Sequence, residues 1–260
     1  MMHQASIHND FQGEPMRLGL SVVIVLLATC FAHCSLAADS TPTAIATRDV
    51  QPYVAEAIKH YNRGVELHQA GFLNEAIVEY KAAIAADNRL EEAYSNLGVI
   101  YAAQRNYPKA KDAFSEALKL KPNRPTTLNG LGTVLYAQGQ IEEATEKWKE
   151  ALAVDPRFSS AYYNMGNAYE SEKNLLQAKA CYMKALVVMP TMADAYFRLG
   201  TIMNKEHHYP QSIILLKKAI ELDPEGEFVR EAKHSLYFME NRFEKGKVKG
   251  LQLHNAHARH

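Results

Sequence analysis

Between residues 57 and 226 the apolar positions fall at helical spacing, twice in every 34 residues. Ala144, Trp148, Ala151 and Leu152 stand at i, i+4, i+7 and i+8, which places them on one face of a helix. Tyr94, Leu97, Gly98 and Tyr101 stand at i, i+3, i+4 and i+7 and line another. The pattern predicts a unit made of a helix A and a helix B, parted by Gly71, Gly139 or a polar cluster such as Lys173-Asn174. Pro122, Pro156, Pro190 and Pro224 end helix B in four units, because proline lacks an N–H and clashes with the preceding turn. Asn88 holds that place in the first unit.

Three positions keep this register together. Gly64, Gly98, Gly132, Gly166 and Gly200 are 34 residues apart; Ala76, Ala110, Ala144, Ala178 and Ser212 follow them by twelve, and Ala83, Ala117, Ala151, Ala185 and Ala219 by nineteen. Between the two small residues come Tyr80, Phe114, Trp148, Tyr182 and Leu216. A glycine inside a helix costs about 1 kcal/mol relative to alanine, so five in register need a compensating reason. Close approach supplies one: with no side chain on A and a methyl on B, the two backbones are expected to touch, and the second alanine admits the next unit's helix A.

This register resembles the tetratricopeptide repeat, a helix pair with a 34-residue period. Five units match, 57–90, 91–124, 125–158, 159–192 and 193–226, although His60 and Arg63 replace large apolar residues in the first. The resemblance implies an all-α, right-handed solenoid of antiparallel helix pairs with helix A lining a concave groove. A sixth unit fails, since His234 stands where its glycine would fall. Residues 227–245 instead predict a capping helix, with Phe228, Val229, Ala232, Leu236, Met239 and Phe243 in a stripe toward the last repeat and Arg230, Lys233, Glu240 and Arg242 outward.

The resemblance also implies which residues face the groove. Position six of the units holds Asn62, Asn96, Gly130, Asn164 and Arg198, with Asn129 beside the gap at Gly130. Carboxamides there would both donate to and accept from an extended peptide backbone. Tyr136, Tyr163, Asn167, Glu170, Phe197 and Arg198 are expected in the same groove, the aromatics as anchors. The lysines of the family's carboxylate clamp are missing: position five reads Tyr61, Ser95, Asn129, Tyr163 and Phe197.

The remaining segments concern export. Leu18 to Ala32 is an uncharged apolar run of fifteen residues behind Arg17, short of the roughly 20 that span a membrane. Ser35-Leu36-Ala37 suits signal peptidase, which predicts residues 1–37 as a signal peptide, with Met16 as an alternative start. An uncleaved anchor, or lipidation at Cys30 within Leu27-Ala28-Thr29-Cys30, are the alternatives, and each places the repeats outside the cytoplasm. Residues 38–52 read as a flexible linker and 246–260 as a disordered tail.

Composition narrows the function. Lysine plus arginine equals aspartate plus glutamate at 29 each, so no global field draws in nucleic acid. Cys181 would stand alone after cleavage and reads as a small buried hydrophobe. His254, His257 and His260 lack the partners of a closed zinc site, and Glu91-Glu92 and Glu142-Glu143 are expected to be solvated. No catalytic residue, cofactor or metal ligand is assigned. The sequence therefore predicts an exported scaffold that binds a protein or peptide partner; the alternatives are an accessory subunit of an envelope enzyme or secretion, pilus or glycan-assembly machine and, remotely, a metal-binding protein.

Overall fold

The computed structural model describes residues 52–241. The apolar run, most of the linker, Phe243 and the histidine tail lie outside these residues. The described part is helical: α1 (Pro52–Gln69), α2 (Leu73–Ala86), α3 (Glu91–Ala103), α4 (Tyr107–Leu120), α5 (Pro125–Ala137), α6 (Ile141–Val154), α7 (Ser159–Ser171), α8 (Leu175–Val188), α9 (Ala193–Lys205) and α10 (Tyr209–Leu222). A last helix, α11, runs over 229–241. Odd-numbered helices up to α9 are the A helices and even-numbered ones the B helices. Each A packs against its own B, each B against the next A, and α3, α5 and α7 touch in series, so the pairs stack as a solenoid.

Each A helix stops the same way. One residue takes a left-handed conformation at Gly71, Arg105, Gly139, Lys173 and His207. The following N–H reaches back five residues, as Asn106 N to Tyr101 O at 2.8 Å and Asn174 N to Tyr169 O at 2.8 Å. This closure satisfies carbonyls that would otherwise be orphaned at the helix end. Asn106 and Asn174 then cap the B helices, accepting from the N–H of Lys109 and Gln177.

The register glycines have a more specific cause than backbone contact. A Cβ on Gly64, Gly98, Gly132 or Gly166 would stand 2.7, 2.7, 2.6 or 2.5 Å from the ring of Tyr80, Phe114, Trp148 or Tyr182. At these four positions the glycine seats the large side chain of helix B; at Gly200 an added Cβ would meet both the Leu216 side chain at 2.8 Å and its backbone N at 3.3 Å. The small residues of helix B are fully buried beneath, and Ser212, the one hydroxyl among them, donates to Gly200 O at 2.7 Å. A buried hydroxyl without such a partner would be costly.

Phe228, Val229, Ala232, Leu236 and Met239 bury α11 against α9 and α10. Cys181 is buried, which pushes its thiol pKa up. Glu91 departs from the sequence expectation. It is fully buried, with Arg124 Nε at 3.3 Å, Lys121 Nζ at 3.6 Å and a hydrogen bond from Thr127 at 3.2 Å. It begins α3 where the next A helix crosses, so stacking of the repeats removes it from water.

Candidate functional site

The helix A face was expected to present a column of carboxamides. The structure spends much of that column on stitching one repeat to the next. Asn96 donates to Tyr61 Oη at 3.2 Å and to Tyr80 Oη at 3.3 Å, both in the preceding repeat. Asn164 is buried and donates to Asn129 Oδ1 at 2.9 Å and Thr133 Oγ1 at 3.3 Å. Asn129 is buried too, and its main-chain carbonyl accepts from Trp148 Nε1 at 3.3 Å. Asn129 and Asn164 therefore do not offer free carboxamides to a ligand; their polar atoms satisfy each other in a place water does not reach.

At two junctions position six of one repeat meets the large residue of helix B in the repeat before it. Asn96 meets the hydroxyl of Tyr80. Gly130 meets the ring of Phe114, whose Cζ would lie 2.6 Å from an added Cβ. The break in the carboxamide series at Gly130 is thus a packing requirement: Phe114 has no hydroxyl to bind, and its ring fills the space.

Two aromatics expected in the groove are also core. Phe197 is buried and stacks on Phe228 with centroids 5.0 Å apart, because α11 covers it. Tyr163 is buried with its ring 5.6 Å from that of Tyr182. Tyr136 is half-buried against Trp148, with its hydroxyl 3.5 Å from Asn167 O. Asn62 is half-buried on α1, beside a cleft of about 530 Å³ lined by Lys59, His60, Arg63, Glu66 and Glu79. Within it His60 Nδ1 and Glu79 Oε2 are 2.6 Å apart, joining α1 to α2, while Arg63 pairs with Glu66 on α1 at 2.8 Å.

What the structure does bring together is a polar cluster across α7, α8 and α9. The Tyr182 hydroxyl lies 2.7 Å from Asn167 Oδ1 and 3.0 Å from Glu170 Oε2. Glu170 Oε1 accepts from Lys205 Nζ at 3.0 Å. The Arg198 guanidinium stands close enough to the Tyr163 phenol to act on it electrostatically. Burial pushes the Tyr182 phenol above its ordinary range, and the Glu170 carboxylate pushes it further, so the hydroxyl stays a donor. Burial likewise raises Tyr163, opposed by Arg198. Asn167, Glu170 and Arg198 are half-buried and Lys205 is exposed, so this group keeps polar atoms within reach of a ligand. Lys205 joins the cluster because it lies seven residues after Arg198, two helical turns along the same face.

Toward the N-terminal ends of α7 and α9 lies a cleft of about 240 Å³ lined by Tyr163, Met189, Met192, Leu222, Asp194 and Asp223; Asn167, Glu170 and Lys205 lie farther along the same helices and do not line it. Among the described residues there is no group of three histidine, cysteine, aspartate or glutamate side chains placed to hold a metal ion.

An all-helical solenoid with this interior register defines a class of helix-pair repeat proteins. A family model for the TPR repeat matches residues 64–105 and 132–172, and models for the tetratricopeptide repeat match 91–124 and 159–186. The chain is a tetratricopeptide repeat protein. No curated protein matches it significantly. Among solved structures, PilF of Pseudomonas aeruginosa is 18% identical and aligns over 81% of this chain and all of its own, with a TM-score of 0.63. MamA of Desulfovibrio magneticus RS-1 is 23% identical over 66% of this chain and 97% of its own, with a TM-score of 0.57. YrrB, described as a TPR protein with an unusual peptide-binding site, is 25% identical over 68% of this chain and 92% of its own, with a TM-score of 0.52. The likenesses to PilF and MamA establish the fold.

Proposed function

We propose that the chain is a scaffold that binds a peptide or a partner's helix across the A-helix face of its fourth and fifth repeats, and that it catalyses nothing itself. The observation that carries this reading is that α7 and α9 hold both an apolar-walled cleft at their N-terminal ends and, farther along, the cluster of Asn167, Glu170, Arg198 and Lys205. Such a cleft suits an anchoring side chain, while the polar cluster suits main-chain or charged atoms of the same segment. The peptide-binding site named for YrrB supports the choice of ligand class.

The test replaces Arg198 and Lys205 by alanine, leaving the buried Asn129 and Asn164 intact. A partner is captured from membrane and soluble fractions, identified by mass spectrometry and titrated against wild type and variant. Binding should weaken about tenfold or more, a loss of order 1.4 kcal/mol, with an unchanged thermal melt. Equal affinity would remove the site from the fourth and fifth repeats.

Export belongs to the same proposal and rests on Leu18 to Ala32 and Ser35-Leu36-Ala37. N-terminal sequencing of the mature protein should begin at Ala38. Lipid on Cys30, or an intact apolar run, would replace secretion by anchoring at the membrane.

A further inference from the structure

Position 2 of the unit stands at the start of helix A and position 31 just past the end of helix B, so the two meet at one end of a repeat. In the second repeat they are Glu92 and Lys121, and the ammonium stands 2.6 Å from the Glu92 carboxylate and 3.6 Å from that of Glu91. In the fifth repeat they are Asp194 and Asp223, two carboxylates that line the same cleft. The first repeat neutralises an acid at position 31 in another way: Asp87 pairs with Arg89, two residues on, at 3.0 Å. In the fifth repeat that place holds Glu225. The cations that other repeats supply at this junction are replaced by acids in the fifth.

Among the described residues Asp194 and Asp223 have no ion-pair partner. The charges that act on Asp194 are Arg198, Asp223 and Glu227. Arg198 opposes the other two, and it is shared with Tyr163, Tyr182 and Glu170. Lys184 sits over the Tyr162 ring, and Lys217 and Lys218 are paired with Glu240 and Glu221. Asp194, Asp223 and Glu227 against Arg198 leave the cleft net negative, with apolar walls beneath.

We infer that this cleft receives a basic side chain from an extended segment of the partner, its charged head between Asp194 and Asp223 and its methylene stem on Tyr163, Met189 and Met192. The head takes the place that Lys121 fills in the second repeat. This rests on the reading that a peptide crosses the A-helix face of the fourth and fifth repeats, and it names the anchor. Lysine and arginine lay their stems along apolar surface while the head stays among polar groups, which matches the two parts of the lining. An apolar anchor would shut two neighbouring carboxylates away from water with no counter-charge, and an acidic one would add a third.

Magnetic resonance of the full chain with isotope-labelled methionine methyls tests the inference, because Met189 and Met192 line the cleft. The probe is an acetylated, amidated alanine pentapeptide with a central lysine. It should shift both methyls saturably, with dissociation near 1 mM, roughly what so small a ligand reaches. The norleucine peptide, with an uncharged stem, should bind about tenfold more weakly, and the glutamate peptide should leave both methyls unmoved. Asp223→Lys rebuilds the pairing of Glu92 with Lys121 against Asp194; it should abolish the shifts and melt no lower than wild type. Glu225→Gln, outside the lining, should bind within about twofold of wild type. Equal binding of the norleucine peptide, or lysine binding that survives Asp223→Lys, overturns the inference. So does calcium that displaces the peptide, which would make the occupant a metal ion. A carbodiimide cross-link from Lys245, Lys247 or Lys249 to Asp194 or Asp223 in the peptide-free chain also overturns it, by making the occupant the chain's own C-terminal segment. A captured partner weakened by the Arg198 and Lys205 substitutions but not by Asp223→Lys overturns this inference alone. A lysine peptide seated in the cleft, with a captured partner indifferent to Arg198 and Lys205, overturns the wider reading alone.

Discussion

At the scale of single residues, the informative positions are those where the fold asks for something the side chain resists. Lys173 sits left-handed at φ 61°, where its repeat counterparts Gly71 and Gly139 have no Cβ to clash. Lys173→Gly should stabilise the protein by about 0.5–1 kcal/mol, measured by urea unfolding; the relief of left-handed strain outweighs the added freedom of glycine in the unfolded chain. Glu91 resists differently. Its carboxylate is fully buried and desolvation raises its pKa, with Arg124 and Lys121 opposing. A folded-state pKa above the unfolded one means that the group stabilises most below its ordinary carboxyl pKa. That contribution is lost as pH rises through the raised value. The melting temperature of wild type should therefore fall relative to Glu91→Gln as the pH is taken from about 4 toward neutrality, starting near the ordinary glutamate value of about 4.3.

At the scale of elements, the repeat is a ring in a glycine seat, and its stability depends on that pairing. Gly166→Ala gains about 1 kcal/mol of helix propensity but drives a methyl to 2.5 Å from Tyr182 Cε1. The ring cannot retreat, because it is fully buried and its hydroxyl is held by Asn167 and Glu170. Overpacking wins, and the variant should lose about 1–3 kcal/mol in chemical denaturation. Asparagine at this register can grip a peptide backbone, but the carboxamides of Asn129 and Asn164 are buried on one another and on Thr133, while Asn96 is half-buried with its amide nitrogen on Tyr61 and Tyr80. One signal was available in the residues: the asparagine at position six follows a tyrosine in the preceding helix B at Asn96, and a glycine follows a phenylalanine at Gly130.

At the scale of the whole molecule, each repeat contacts chiefly its neighbours, so stability is a sum of local terms and the ends need covering. The cover at the C-terminal end is α11, whose Leu236 is buried among Phe197, Leu216 and Met239. Leu236→Asp puts a charge into that cluster. Amides of residues 193–241 should then lose hydrogen-exchange protection while those of 91–188 keep theirs; uniform loss would mean that the repeats unfold as one unit. The covering is incomplete in a telling way. Tyr237 and Phe238 are exposed on α11, with His234 edge-on to Phe238 at 4.7 Å, because no helix B follows within the described residues to receive them. The expected cap was polar on its outer side, and these two aromatics depart from that.

The sequence by itself determined the period, the helix pairs and the turns between them; that each register glycine seats a large side chain of helix B came from the structure. The first three follow from local spacing and from the shape of glycine, alanine and proline, which act over one helical turn or between the two halves of one unit. Only the tertiary structure decided which polar residues of the A helices remain for a partner and which are used up. That depends on stacking one repeat on the next, which buries Glu91, Asn129 and Asn164, covers Phe197 with α11, and leaves Asn167, Glu170, Arg198 and Lys205 within reach. Spacing says which residues share a helix; burial, set by neighbours about 34 residues away, says which of them water or another chain can touch.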